Sequence, residues 1–144
     1  METETHYLDA STVLRILYRR SVPPRLAEAD SVLVSSELIA VEVGLAIQRR
    51  LVSGDLDANA AARLRLDLAQ LLRRLTLFPP GDEVLARARE PFAFAVGLGT
   101  ALHVATAQVV RDELPTLQYW TWIEEGAAAA ASREFVTHGH EKKA

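Results

Sequence analysis

Two acidic residues in the first third of the sequence are candidates for binding a divalent metal ion. Asp9 follows the segment His-Tyr-Leu at 6–8, which predicts a short strand, and it precedes a predicted helix. This position places the carboxylate at the carboxyl edge of a sheet, where ligands bind in parallel α/β domains. The alternative is that Asp9 or Ser11 only caps the helix, because a side-chain oxygen there accepts a free backbone N–H.

Glu42 is the second candidate, because its neighbours on a predicted helix are apolar. The positions three and four residues away on either side hold Leu38, Ile39, Leu45 and Ala46. An acid on an apolar helix face is costly unless a cation, an arginine or hydrogen bonds satisfy its charge. A metal ion and a structural ion pair with an arginine therefore remain equally open explanations.

The elements that must position these acids alternate between short strands and longer helices. Strands are predicted at 6–8, 31–34, 75–78, 117–122 and 134–137. Helices are predicted at 11–20, 36–52, 57–74, 82–90 and 100–112, with a last Ala-rich helix around 127–131. This alternation predicts a three-layer α/β domain with a mainly parallel sheet of about five strands. No linker or repeat divides the sequence, so one domain is expected over 1–144.

The composition excludes several classes of site. The 144 residues include no cysteine, which excludes disulfides, thiolate zinc sites and a cysteine nucleophile. No apolar run approaches the ~20 residues of a membrane span, and the first residues lack the pattern of a signal peptide. We therefore expect a cytoplasmic protein that does not contact a membrane. With a net charge of −3, nucleic acid binding would require a local basic patch or a metal ion.

Basic residues and one histidine also have structural explanations. Arginine pairs at 19–20, 49–50 and 73–74 fall near predicted helix ends, where cations favour the helix dipole. A track for RNA phosphates is the second interpretation of these pairs. His103 lies among apolar neighbours, which favours a hydrogen-bonded packing residue over a catalyst.

Several segments together resemble the PIN-domain family, in particular its VapC-like toxins. Residues 7–11 and 36–42 resemble the front half of that domain, and each contains one of the two acids. The segment Thr100 to Ala107 resembles the family's Asp-Ala-Leu-His-Leu-Ala-Thr-Ala sequence. Residues 121–125 with the following alanines resemble its Thr-x-Asp segment and helix, and residues 134–139 resemble its closing strand. This resemblance covers nearly the whole chain and implies the PIN fold.

The resemblance implies an endoribonuclease toxin of a type II toxin–antitoxin pair, in which four acids hold Mg²⁺ or Mn²⁺. Asp9 and Glu42 match the first two acids, but Thr100 and Ile123 stand at the third and fourth positions. Two cations 3.5–4 Å apart need several carboxylates. The remaining pair therefore predicts one weakly bound ion and weak or absent activity. The implied partners are a second copy of the chain as a homodimer, a cognate antitoxin and an RNA substrate.

Other residues could support or replace the missing acids. Ser11, Thr100 and Thr121 offer hydroxyls near the expected metal. Glu124 or Glu125 could supply a carboxylate, although acids in a first helical turn also favour the dipole, and we prefer that explanation for both.

Two rival interpretations remain. The first is a PIN-fold protein that binds an antitoxin or RNA and cleaves nothing. It is suggested by Ile123, an apolar residue where a ligand should stand. The second is an unrelated α/β regulator in which Asp9 caps a helix and Glu42 pairs with an arginine.

Overall fold

A computed structural model describes residues 3–140 and contains one five-stranded sheet. The strands are β1 (Thr5–Leu8), β2 (Val32–Ser36), β3 (Leu75–Phe78), β4 (Gln118–Thr121) and β5 (Thr137–Gly139). Their order across the sheet is β3-β2-β1-β4-β5, and every neighbouring pair is parallel. All carboxyl ends of the strands therefore meet at one edge, which confirms the predicted sheet.

Within residues 3–140, seven helices connect the strands and cover both faces of the sheet. They are α1 (Ala10–Arg19), α2 (Pro24–Ala27), α3 (Ile39–Val52), α4 (Ala58–Leu72), α5 (Asp82–Ala88), α6 (Leu98–Glu113) and α7 (Glu124–Ser132). One apolar core lies between the sheet and α1, α3 and α4, and a second lies on the α6 and α7 side. These two cores make the three layers expected from the sequence.

The central strand β1 shows how the two faces are separated. All four of its residues are buried, as expected of a parallel strand covered on both sides. Because successive side chains point to opposite faces, Leu8 joins the first core and Tyr7 joins the second. Asp9 follows Leu8 directly and so stands where β1 meets α1.

Several predicted boundaries differ from those of the structure. Strand β2 continues to Ser36, because buried Ser35 and Ser36 pair with β3, so α3 begins at Ile39 rather than at 36. Helix α6 begins at Leu98 rather than Thr100, with Gly97 as its N-cap. Strand β4 ends at Thr121, one residue before the predicted end.

The last strand and one short helix also differ from the sequence prediction. Glu134 adopts a left-handed conformation with φ 67°, which turns the chain after α7 and delays β5 to residues 137–139 instead of 134–137. Helix α2 was not predicted; Pro24 occupies its first turn, where a missing N–H costs nothing. The predicted domain range of 1–144 extends beyond the described residues at both ends and stays a prediction. No helix within residues 3–140 is long and apolar enough to cross a bilayer.

Candidate metal centre

Asp9 caps α1 with one carboxylate oxygen and leaves the other uncommitted. Its Oδ1 accepts the backbone N–H of Thr12 at 3.0 Å, the Thr12 hydroxyl at 3.2 Å and the Ser11 hydroxyl at 2.6 Å. The residue is only 5% exposed. Its Oδ2 has no hydrogen-bond partner among residues 3–140 and faces Gly126. The capping explanation from the sequence therefore holds for one oxygen and does not use the second.

Ser11 ties the cap to the end of β4. Its Oγ accepts the backbone N–H of Trp122 at 2.8 Å and lies 3.4 Å from Thr121 Oγ1. Thr121 is fully buried, and its Oγ1 also lies 3.4 Å from the N–H of Ile123. The structure thus places Ser11 in direct contact with Asp9, and Thr121 one hydroxyl further away.

Glu42 is held by a histidine from the opposite side of the sheet edge. Its Oε1 lies 2.6 Å from Nε2 of His103 in α6, and Nδ1 of that ring lies 2.7 Å from the Tyr7 hydroxyl. The Glu42 side chain is 30% exposed, whereas His103 is buried. Within residues 3–140 no arginine pairs with Glu42, so that alternative is wrong, and His103 is the hydrogen-bonded packing residue that the sequence favoured.

Two glycines leave space for the remaining carboxylate oxygens. A Cβ on Gly99 would lie 3.0 Å from Glu42 Oε2, and a Cβ on Gly126 would lie 3.2 Å from Asp9 Oδ2. The same Cβ on Gly126 would meet Thr121 Oγ1 at 2.3 Å. Each acid thus gives one oxygen to the protein and presents the other against a residue without a side chain.

A chain of contacts joins the two acids along this edge. Asp9 lies against Gly126 in the first turn of α7, and the neighbouring Glu125 accepts the N–H of Gly97 at 3.1 Å. Gly97 caps α6, whose next residues include Gly99 beside Glu42. We call the region formed by Asp9, Glu42 and the first turns of α6 and α7 the acid edge.

The two carboxylates raise the pKa of one pair of buried tyrosines. Tyr7 and Tyr119 stack with ring centroids 5.3 Å apart. Burial raises the pKa of Tyr7 well above its usual value, and the negative charges of Asp9 and Glu42 raise this pKa as well. Burial and the same two acids also raise the pKa of Tyr119. Both phenols therefore stay protonated. The Tyr7 hydroxyl is bonded to His103, whereas the buried Tyr119 hydroxyl has no hydrogen-bond partner within residues 3–140.

The other predicted site residues supply no third ligand. Thr100 is half-buried in the first turn of α6, and Ile123 is 45% exposed at the start of α7. Glu124 is exposed in the first turn of α7, as the helix-dipole explanation predicted. Within residues 3–140, no group of three or more His, Cys, Asp or Glu side chains is arranged to hold a metal ion.

The two acids nevertheless have the oxygen donors that one hydrated ion prefers. Mg²⁺ is commonly held by one or two carboxylates, with water and substrate phosphates completing an octahedron. The uncommitted Asp9 Oδ2 and Glu42 Oε2, both facing glycines, are suited to that use. Two adjacent ions would lack the carboxylates needed to offset their repulsion.

The arginine pairs lie away from this region. Arg19 ends α1, Arg49 and Arg50 lie in the last turn of α3, and Arg73 follows α4, which confirms their predicted positions at helix ends. Because α1 begins beside Asp9 and has ten residues, Arg19 lies about 15 Å along the helix from that acid. Arg20, Arg50 and Arg63 line a hollow of about 330 Å³ that includes no residue of the acid edge.

Comparisons with known proteins agree with this architecture. The chain shares its three-layer α/β fold with the crystal structure of PAE2754 from Pyrobaculum aerophilum, with a TM-score of 0.60 and 20% identity over 94% of this chain and 92% of that one. The sequence model of the PIN domain matches residues 6–116, and the chain therefore belongs to the PIN-domain family. No curated protein matches the chain in sequence. Family membership indicates nuclease-type function in general, and PIN domains are generally nucleases that depend on divalent metal ions.

Sequence reasoning missed the residues that hold the acids in place. Tyr7 lies in a predicted strand, and a buried phenol needs a hydrogen-bond partner, but this need alone does not identify His103. Gly99 and Gly126 lie within helices, where glycine is unfavourable, so each signals a close approach by another group. No local pattern indicated the contact between Glu125 and Gly97, because it joins two helix ends far apart in the chain.

Proposed function

We propose that this chain is a VapC-like PIN-domain toxin, a cytoplasmic endoribonuclease whose Asp9 and Glu42 hold a single Mg²⁺ or Mn²⁺ ion. The observation that carries the proposal is the pair of uncommitted oxygens, Asp9 Oδ2 and Glu42 Oε2, each facing a glycine at the acid edge. With only these two acids, we expect weak ion binding and slow RNA cleavage.

The chain's own residues would have distinct tasks in this reaction. Asp9, fixed by three donors to Oδ1, contributes a carboxylate whose position is set by the first turn of α1. Glu42 contributes a carboxylate held by His103. Ser11 keeps Asp9 in register with the end of β4. A divalent ion bound there supplies charge stabilisation on a phosphodiester and a more acidic water.

Thr100 and Ile123 explain why the activity would be low. Thr100 brings a neutral hydroxyl to the first turn of α6, and Ile123 brings an exposed apolar side chain to the start of α7. Neither residue offsets the charge of a cation. Less negative charge at the acid edge means weaker binding of the cation, and without the bound cation a substrate phosphate is less stabilised.

A non-cleaving binding protein is the second candidate, and exposed Ile123 favours it. Ile123, 45% exposed, places an apolar side chain at the acid edge where a nuclease of this family would have a carboxylate. In that case the chain would bind an antitoxin or RNA through the PIN fold without using a metal ion. Under either candidate, a cognate antitoxin and a second copy of the chain are the expected partners.

Metal-dependent cleavage of RNA tests the first candidate against the second. Total RNA is incubated with the protein in Mn²⁺, in Mg²⁺ or in EDTA, alongside Asp9→Asn, Glu42→Gln and the control Glu113→Gln. Glu113 is an exposed acid at the opposite end of α6 from Gly99, so its substitution matches the charge change only.

We expect slow cleavage that requires a metal ion, survives in Glu113→Gln and disappears in both acid-edge variants. Cleavage that persists in EDTA, or in both acid-edge variants, would contradict the proposed site. RNA or antitoxin binding without cleavage, unchanged by metal ions, would support the second candidate.

A further inference from the structure

His103 occupies a position that packing alone does not require. It is 3% exposed, on the buried side of α6, between the apolar residues Leu102 and Val104. A buried imidazole is costly unless its polar atoms are paired. Here both ring nitrogens are paired. Nδ1 is bonded to Tyr7 in β1, and Nε2 is bonded to Glu42 at the acid edge.

The direction of these hydrogen bonds follows from chemistry. An ionised carboxylate can only accept, so Nε2 of His103 carries the proton and donates it to Glu42 Oε1. In the neutral ring Nδ1 is then an acceptor, and the Tyr7 hydroxyl donates to it. The buried Tyr7 ring is itself fixed by stacking on Tyr119. Tyr7 thus sets the ring orientation of His103, and His103 sets the orientation of Glu42.

This arrangement restricts a side chain that would otherwise move. Glu42 is partly exposed, and a free glutamate samples several rotamers whose loss costs free energy when a ligand binds. With Oε1 bound to His103, Oε2 is directed towards Gly99, where any side chain would crowd it at 3.0 Å. Glu42 therefore presents a single oxygen in a fixed direction at the acid edge.

We propose that His103, supported by Tyr7, is the positioning residue that holds Glu42 so that Oε2 binds a divalent cation with its rotamer already fixed. This inference rests on the proposed function, since it requires that Glu42 be a metal ligand. Hydrogen-bonded partners of ligating groups contribute roughly 10–100-fold to metal affinity in proteins.

Direct measurement of Mn²⁺ affinity tests this role without reference to catalysis. Free Mn²⁺ is followed by its electron paramagnetic resonance signal as the intact chain is titrated. The variants are His103→Leu, which removes both hydrogen bonds, and His103→Gln, whose side-chain amide can still donate to Glu42. We expect His103→Leu to weaken Mn²⁺ binding by at least about tenfold. We expect His103→Gln to recover most of that loss.

Three further variants separate positioning from folding. Tyr7→Phe removes only the hydroxyl that orients the ring, so we expect a smaller loss of affinity. Gly99→Ala leaves His103 intact and crowds Glu42 Oε2, so we expect it to weaken Mn²⁺ binding. This variant provides a test of the Glu42 oxygen in case His103→Leu fails to fold. His138→Leu is the matched control, because it removes a half-buried histidine that is bonded to Gln118 on β4.

The outcomes distinguish this inference from the proposed function. If the unmodified chain and His103→Leu bind Mn²⁺ equally well, His103 has no positioning role, although the metal site stands. If His103→Gln loses as much affinity as His103→Leu while both remain folded, the donor to Glu42 is not what matters. If the unmodified chain binds no Mn²⁺ at millimolar concentration, the proposed metal site and this inference both fail.

Discussion

Asp9 and Glu42 differ in how the protein holds them. Asp9 is buried and receives three hydrogen bonds from the first turn of its own helix. Glu42 is partly exposed and receives one hydrogen bond from His103, which lies 61 residues away in the chain. Asp9 therefore contributes to folding in its own right, whereas the position of Glu42 depends on how α3 and α6 meet. The corresponding amide variants, which keep the shape of the side chains, are the appropriate probes.

Restoring the two missing acids is the first prediction at this scale. We expect Thr100→Asp combined with Ile123→Asp to lower the melting temperature without metal and to increase the stabilisation by Mn²⁺. Like charges about 4 Å apart repel by ~4 kcal/mol at an effective dielectric of ~20, and a bound cation removes that repulsion. Thermal unfolding with and without Mn²⁺ measures both effects.

The control for this pair carries the same added charge elsewhere. Thr76 is an exposed position in β3, so Thr76→Asp combined with Gln70→Glu adds two negative charges away from the acid edge. These substitutions should not increase the response to Mn²⁺. An unchanged response in the Thr100→Asp and Ile123→Asp variant would contradict the placement of the site.

The sequence identified both acids but not how they are held. Asp9 could be located because a cap and a strand end leave a local pattern. The capping explanation is confirmed, and the metal-binding one stays a prediction. Glu42 was noticed because its helical neighbours are apolar, yet its partner could not be named. His103 and Tyr7 approach Glu42 only after the sheet and α6 have assembled, and no spacing in the chain reports such a contact.

At the scale of elements, the first turn of α7 packs closely on the end of β4. Gly126 makes this approach possible, because a Cβ there would meet Thr121 Oγ1 at 2.3 Å and Asp9 Oδ2 at 3.2 Å. Glu125 in the same turn binds the start of α6 through Gly97. The spacing of three elements at the acid edge thus depends on one residue without a side chain.

Gly126→Ala is the prediction that belongs to this packing. We expect it to destabilise the fold by about 1–3 kcal/mol, because the added methyl group must displace Thr121 or Asp9 from a close-packed contact. Denaturant unfolding measures the change. Gly44→Ala in α3 is the matched control, since nothing lies within 4 Å of its Cβ position. That substitution should instead stabilise by up to about 1 kcal/mol through helix propensity. Equal effects at both positions would contradict the packing described for α7.

Element boundaries were predictable only where the chain gives a local signal. Strand β3 matches its predicted bounds, because Pro79 and Pro80 end it. Strand β5 was predicted at 134–137 rather than 137–139, because the left-handed turn at Glu134 contains no glycine, the residue that would indicate such a turn. Helix α3 was predicted to begin at residue 36, because serine is a typical N-cap residue. In the structure Ser36 is instead buried in β2.

At the scale of the whole molecule, two histidines that contact Trp120, buried His6 and half-buried His138, make stability depend on pH. His6 in β1 accepts the indole N–H of Trp120 on Nδ1 at 2.8 Å, and its Nε2 faces Glu4. Burial lowers the pKa of His6 below its usual value of 6.5, and burial also lowers the pKa of His138, which stacks on Trp120. Protonation of His6 Nδ1 would place its N–H opposite the indole N–H of Trp120 and break this hydrogen bond, since both groups can then only donate.

We therefore predict that the chain loses stability as pH falls below about 6.5. The unfolded chain binds protons at the usual histidine pKa, whereas the folded chain binds them only at lower pH. The loss is at most about 1.4 kcal/mol per pH unit for each proton. Urea unfolding between pH 7.5 and 5.5 measures the slope, and His6→Gln should reduce it. A stability that does not change over this range, or an equal slope in His6→Gln, would contradict the described environment of His6.

The central claim is that one divalent ion binds between Asp9 and Glu42, and thermal unfolding with Mn²⁺ tests it most directly. A ligand that binds only the folded state stabilises it by RT ln(1 + [L]/Kd). We predict that millimolar Mn²⁺ raises the melting temperature of the unmodified chain and that Asp9→Asn and Glu42→Gln each abolish the rise. No rise in the unmodified chain, or a rise that survives both substitutions, would contradict the claim.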